Sequence, residues 1–381
     1  MFNHVRKPAL AAAGALALFC GAAQAHAQSD ILLQLRSGSP SGDRFRVDSA
    51  GGVVAIGQLG IGIIPASGAG YRMMWHPFKA AFRAGGTDDG GAGTYWDDAN
   101  VGFYSWAGGN LTKASVFASF AFGDQTEVTG VDAAAFGASN IVGGTAAFAA
   151  GASNHACGFG SVTIGFTNTT GSIGAGGACA AGNGQGSVAI GYRVTADADY
   201  AVALGQRASA NGHDGAFVAG DQSTTDSVQA TANNQFMTRY AGGYRLYTNA
   251  TTTTGVSLNA GGSSWNVISD RNRKENFLGV DGEDLLMRLR GVPVTTWQYR
   301  DEADRTVRHM GPMAQDWQAA FGFSSDATTI NMSDLDGVNL AGVKALEQRT
   351  ASQAARIQTL EAQVAELQRT VQALVAAQQK P

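Results

Sequence analysis

Charge is scarce in this chain. Charged residues make up 15% of its 381 positions, and the formal net charge is -4. That balance excludes the broad basic field that draws a protein to nucleic acid or to an anionic membrane. Apolar runs long enough to span a bilayer are also missing, so no integral membrane anchor is expected. Beyond residue 27 histidine occurs only at His76, His155, His213 and His309. These are scattered and have no carboxylate pair beside them. No metal centre or cofactor is expected, and a glycan hydrolase is disfavoured for want of an acid–base pair. Asp88-Asp89 and Asp97-Asp98 lack the spaced ligand series of a calcium loop and read as solvated turns. Cysteine occurs three times. Cys20 falls in an amino-terminal leader, and the bulky Phe19 before it argues against a lipoprotein site. Cys157 and Cys179 remain, either as a disulfide, which an exported chain permits, or as small buried thiols.

The leader is residues 1–27. Arg6 and Lys7 supply its charged region, residues 9–21 its apolar run, and Ala23-Gln24-Ala25 or Ala25-His26-Ala27 its small cleavage residues. A product secreted from, or held at the surface of, a Gram-negative cell is expected. Residues 28–114 read as β-rich. Ile31-Leu32-Leu33-Gln34-Leu35 and Gly52-Val53-Val54-Ala55-Ile56 are short strands between turns. The aromatics of residues 71–77 and 96–104 are expected in a core rather than on a ligand platform.

Glycine is abundant, at 52 residues, and over residues 115–222 it is periodic. Ser119-Phe120-Ala121-Phe122-Gly123 returns as Ala133-Ala134-Ala135-Phe136-Gly137, Ala147-Phe148-Ala149-Ala150-Gly151 and Ser161-Val162-Thr163-Ile164-Gly165. It returns again at Gly191, Gly205 and Gly220. Most steps are 14 residues, which suits strand, turn, strand, turn, with glycine at the sharp bend. A single such unit cannot bury its apolar face, so units stack. The 26-residue step from Gly165 to Gly191, which contains Cys179, leaves register and a projecting loop open. The array resembles the head of trimeric autotransporter adhesins, whose rungs read [AS]-x-A-x-G. That resemblance implies a left-handed β-roll or solenoid, three chains packed on one axis, and a cell-surface or glycan ligand. Residues 223–268 follow as a β-neck, with short strands around Phe236, Tyr244 and Val256.

Ser269-Asp270-Arg271-Asn272-Arg273-Lys274-Glu275-Asn276 places a serine and a lysine five residues apart in a charged turn. A serine hydroxyl attacks only when a base takes its proton. A lysine takes one only when neutral, a form that burial or neighbouring cations such as Arg271 and Arg273 favour. A helix-capping turn is the plainer reading of the same residues. The segment resembles the intramolecular chaperone domain of phage endosialidases, tail spikes and tail fibres, in three ordered blocks. Residues 269–276 match that family's S-D-x-x-x-K-E-N opening. Residues 285–299, with Pro293-Val294 and Trp297-Gln298-Tyr299, match its L-x-x-L-x-P-V-x-x-W-x-Y core. Residues 308–316 match its G-x-x-A-Q block. The resemblance implies an α+β domain over 269–342 that assists trimer assembly and then cuts the chain at Ile268-Ser269. Ser269 would be the nucleophile and Lys274 the base. Asp270, Glu275 and Asn276 would support the loop, and His309 would hold the carbonyl oxygen or the serine. The Leu285-Leu286 and Trp297 core is the expected cover for the lysine.

Residues 343–381 read as a helix. Val343, Leu346, Ile357, Leu360, Val364, Leu367, Val371 and Leu374 fall on steps of three and four, with polar layers at Thr350 and Gln353, which is a coiled-coil seam. Valine and leucine at those positions lean toward two strands. The Arg356 to Glu361 spacing and the two resemblances favour a parallel homotrimer. The fold expected is therefore mainly β, ending in an α+β domain and a coiled coil. The function expected is an exported trimeric fibre or adhesin that processes itself. The alternative is a non-cleaving adhesin whose chaperone domain stays attached as a clamp.

Overall fold

The computed structural model describes residues 31–38, 41–323 and 326–378. The leader at 1–27 lies outside them. The chain is mainly β, as expected, and divides into two compact units, Met1–Gly242 and Gly243–Pro381.

In the first unit the 14-residue repeat sets the architecture. Each repeat gives one strand to an 11-stranded sheet and a two-residue strand to an 8-stranded sheet. Phe120–Asp124, Ala134–Ala138, Phe148–Ala152 and Val162–Phe166 pair in parallel, so that Gly123, Gly137, Gly151 and Gly165 lie in one column. Gly137 has φ +119°, and a Cβ there would stand 2.0 Å from the carbonyl oxygen of Gly151. Only glycine meets both constraints. Side chains alternate across the strand. Ala107, Ala121, Ala135 and Ala149 point inward and are essentially inaccessible, as are Val128 and Val142 opposite them. The core between the sheets is thus thin and is filled by small residues. Phe122 and Phe136 point outward and stack on each other, 5.7 Å between centroids.

Three features were not anticipated. The sheet extends past both ends of the legible repeat. Trp106–Asn110 precedes it in register, with Gly108 in the column that Phe122 and Phe136 continue, and the ring of Phe122 lies over that glycine. Phe236–Arg239, expected in the neck, is the last parallel strand of this sheet, its phenylalanine stacked on Phe217 at 5.2 Å. Second, Asn140, Asn154 and Asn168 form a buried ladder. Asn154 Nδ2 donates to the carbonyls of Ala150 (3.1 Å) and Gly165 (2.9 Å), and Asn140 Oδ1 accepts the Asn154 backbone N–H at 3.1 Å. The ladder satisfies buried backbone groups at the corners, which would otherwise be costly. Third, Arg83 is fully buried in the column that Ala107 and Ala121 continue. It donates to the Ser105 and Ala114 carbonyls and to Ser105 Oγ, and burial pushes its pKa down to about 10.

The long step keeps register: Gly165 pairs with Gly191. The surplus residues form a small antiparallel pair, Ser172–Ile173 with Cys179–Ala180, and a disulfide from Cys179 to Cys157 staples it to the preceding turn. The turn at Asp97-Asp98 is not simply solvated. Asp97 accepts the Gly68 N–H at 2.6 Å, and Asp98 binds His76 at 2.7 Å and Lys79 at 3.3 Å. The amino-terminal aromatics divide: Trp96 is wholly buried, whereas Tyr71 is 90% exposed.

The second unit opens with an antiparallel sheet of Gly243–Tyr247, Gly255–Asn259 and Asn266–Val267. Helix α1 (Gly282–Arg290), helix α2 (Ala314–Phe321) and the first turns of helix α3 (Met332–Gln378) enclose its small core. That core joins Leu285, Val292, Trp317 and Val338. Asp281 caps α1 by accepting the N–H groups of Glu283 and Asp284, a favourable arrangement at a helix start. Helix α3 begins well before residue 343. Its first turns direct Leu335, Val338 and Ala341 into the chain's own core and so do not follow the seam of the later turns.

Candidate functional site

The loop that carries Ser269 is fixed at its start by the sheet. Val267 pairs with Val256, and the Ile268 N–H donates to the Gly255 carbonyl at 3.3 Å. The chain then leaves the sheet. Asp270 accepts the Asn272 N–H at 2.9 Å and caps a single 3-10 turn, Arg271–Arg273. The turn is closed by Arg273 N–H to Asp270 carbonyl (3.1 Å) and Lys274 N–H to Arg271 carbonyl (3.2 Å). Reversal over these residues returns Lys274 to Ser269, and the lysine Nζ donates to the serine Oγ at 2.7 Å. The capping turn and the serine–lysine pair, two competing readings of the sequence, thus coexist in one loop.

The other expected members take different places. Asp270 is the cap. Asn276 adopts the left-handed conformation, φ +56°, which an asparagine tolerates. Glu275 is exposed and makes no hydrogen bond or ion pair among the described residues. His309 lies on the Thr295–Trp297 and His309–Gly311 hairpin, where Nε2 meets Glu302 Oε1 at 3.0 Å. Its ring stacks on Trp297 at 4.7 Å. Within one chain it makes no hydrogen bond to Ser269. Leu285 and Leu286 are buried among the helices, and Trp297 packs on Tyr299 and His309. The expected cover for Lys274 is therefore not supplied by its own core, and every residue from 269 to 280 is exposed. Phe277, Leu278 and Val280 in that stretch are 61%, 90% and 67% exposed, three apolar side chains that follow the dyad in sequence.

Residues 269–324 match the family model described as the chaperone of endosialidase, a peptidase family. The match begins at the dyad serine and includes both α1 and α2. A C-terminal chaperone domain of this family is thereby supported, with the Ser269–Lys274 contact at its first residue. No curated protein and no solved structure matches the chain.

Arg273, expected from sequence only as a cation near the lysine, also makes a contact that sequence does not show. Arg273 Nη1 donates to the Thr253 carbonyl at 2.8 Å, and its Nε lies 3.5 Å from Asp270. Its partner is a backbone carbonyl twenty residues away, which no motif can name. No group of three or more histidine, cysteine, aspartate or glutamate side chains able to hold a metal occurs among the described residues.

Proposed function

We propose that the chain is an exported trimeric fibre or adhesin whose carboxy-terminal domain assembles three copies and then releases itself by cutting Ile268-Ser269. The observation that carries this reading is the 2.7 Å contact of Lys274 Nζ with Ser269 Oγ at the first residue of the family match. Neutral Lys274 takes the hydroxyl proton as Oγ adds to the Ile268 carbonyl carbon. The C–N bond breaks, the proton passes to the departing Ser269 amine, and an ester joins Ile268 to Oγ. Water then hydrolyses the ester, leaving an Ile268 carboxylate and a free Ser269 hydroxyl. Nucleophile and carbonyl belong to adjacent residues, so orientation supplies much of the rate. One turnover per chain is enough.

Self-association is supported by what a single chain leaves uncovered. Leu346, Ile357, Leu360, Val364, Leu367 and Leu374 on α3 are 46–63% exposed. The outward face of the long sheet is apolar as well, through Trp106 and Phe120 in one column and Phe136, Ile164 and Ile190 in the next. Three copies packed as a coiled coil and a β-roll head would bury both surfaces. The same packing would cover the exposed Phe277, Leu278 and Val280 and favour neutral lysine by desolvation. Assembly at one end raises the local concentration of the slow β-segments, and cutting afterwards traps them kinetically.

The test is the concentration dependence of cutting. Freshly folded chains at concentrations spanning the assembly transition are followed by denaturing gel. Two fragments are expected only where sedimentation shows trimer. Equal cutting at all concentrations would reject assembly-dependent activation. A single full-length band throughout would favour the permanent clamp.

A further inference from the structure

We infer that Arg273 is a positioning residue for the self-cutting reaction: it clasps the dyad loop to the 248–254 turn and so fixes Ser269 against the Ile268 carbonyl. The inference rests on the reading given under Proposed function. Two anchors bracket the bond to be cut. On its amino side the Ile268 N–H is held by Gly255, next to the Val256–Val267 pair. On its carboxyl side Arg273 reaches back across the same sheet edge to the Thr253 carbonyl, while Asp270 lies 3.5 Å from its Nε. One guanidinium thus hydrogen-bonds the turn between the two strands and ion-pairs with the residue that caps the 3-10 turn.

The far anchor is itself built. Asn249 Oδ1 accepts the N–H groups of Thr253 (2.9 Å) and Thr254 (3.1 Å), and Thr248 N–H donates to the Thr254 carbonyl at 2.9 Å. Asn249 Nδ2 binds the hydroxyls of Thr251 and Thr253. The Thr253 carbonyl is therefore presented by an ordered turn. Arginine suits this place because its planar fork directs one donor to a carbonyl while its charge faces a carboxylate, whereas lysine offers one mobile point charge. Without the clasp, Ser269 and Lys274 would keep their covalent spacing but lose their aim at the carbonyl. Misplacement of about 1 Å costs a reaction of this kind up to about a hundredfold.

The test compares the full chain with Arg273→Ala, Arg273→Lys and Asn249→Ala. Trimer is verified by sedimentation, and first-order cutting is followed across pH. Arg273→Ala is expected to slow cutting about 10- to 100-fold at every pH without moving the midpoint of the profile. Arg273→Lys should restore part of the rate, and Asn249→Ala should slow cutting and add little to Arg273→Ala. A midpoint that moves to higher pH, with wild-type rate recovered there, would show Arg273 acting as a charge on Lys274 and would overturn the positioning role. A wild-type rate in Arg273→Ala would overturn it too. Amide exchange gives a readout independent of cutting. In a Ser269→Ala background, Arg273→Ala should speed exchange of the Ile268, Asn272 and Lys274 amides, and unchanged exchange contradicts the clasp. If Ser269→Ala is still cut, the dyad reading fails whatever Arg273 does. If only Arg273→Ala is silent, the clasp fails and the dyad stands.

Discussion

Ser269→Ala and Lys274→Ala are each expected to leave an uncut chain that still forms trimers. Removing the nucleophile ends the reaction, because no other hydroxyl meets the lysine: Lys274 Nζ bonds Ser269 Oγ alone among the described residues. Removing the base is expected to slow cutting about 100- to 10,000-fold, the usual contribution of a positioned proton acceptor. Neither side chain is buried, so folding should be unaffected, and surface substitutions of this kind usually change stability by less than about 0.5 kcal/mol. Intact mass against time reads the outcome. Both variants cut as fast as wild type would assign the break to an external protease.

Leu360→Asp with Leu367→Asp is expected to abolish the trimer. Both leucines lie on the exposed seam of α3, at 46% and 63% exposure, and make no part of the chain's own core. In three packed helices each would become a buried carboxylate without a partner, at about 3–5 kcal/mol per site. Arg356 and Glu361 form no salt bridge within their own chain among the described residues, which leaves them free to pair between parallel helices as their spacing suggests. Sedimentation should show monomer, and cutting should fall with it. A trimer that survives the double substitution at low concentration would mean that the seam is not the assembly clamp.

Much of this molecule is legible in its sequence, for specific reasons. The repeat is visible because a left-handed bend with no room for a Cβ admits only glycine, so Gly123 to Gly205 stand out. The flanking strands are harder to see: Trp106–Asn110 carries two adjacent glycines, Gly108 and Gly109, and Phe236–Arg239 has no glycine at the bend and lacks the small-residue pattern. The buried ladder of Asn140, Asn154 and Asn168 keeps the 14-residue spacing, yet asparagine reads first as a turn residue. The start of α3 was hidden because its first turns face inward, off the seam. The approach of Lys274 to Ser269 was legible from their spacing, and it follows from a capping turn that Asp270 announces. Arg273's role was not legible, since a backbone carbonyl has no sequence signature. The place of His309 depends on the Trp297 and Glu302 cluster, which only the hairpin pairing brings together.

The most direct test of the account is to sequence the amino termini of the purified wild-type protein after assembly, alongside its intact masses. A head chain ending at Ile268 and a tail of 113 residues beginning at Ser269 are expected. A single uncut chain in a verified trimer, or a tail beginning at any other residue, would contradict it.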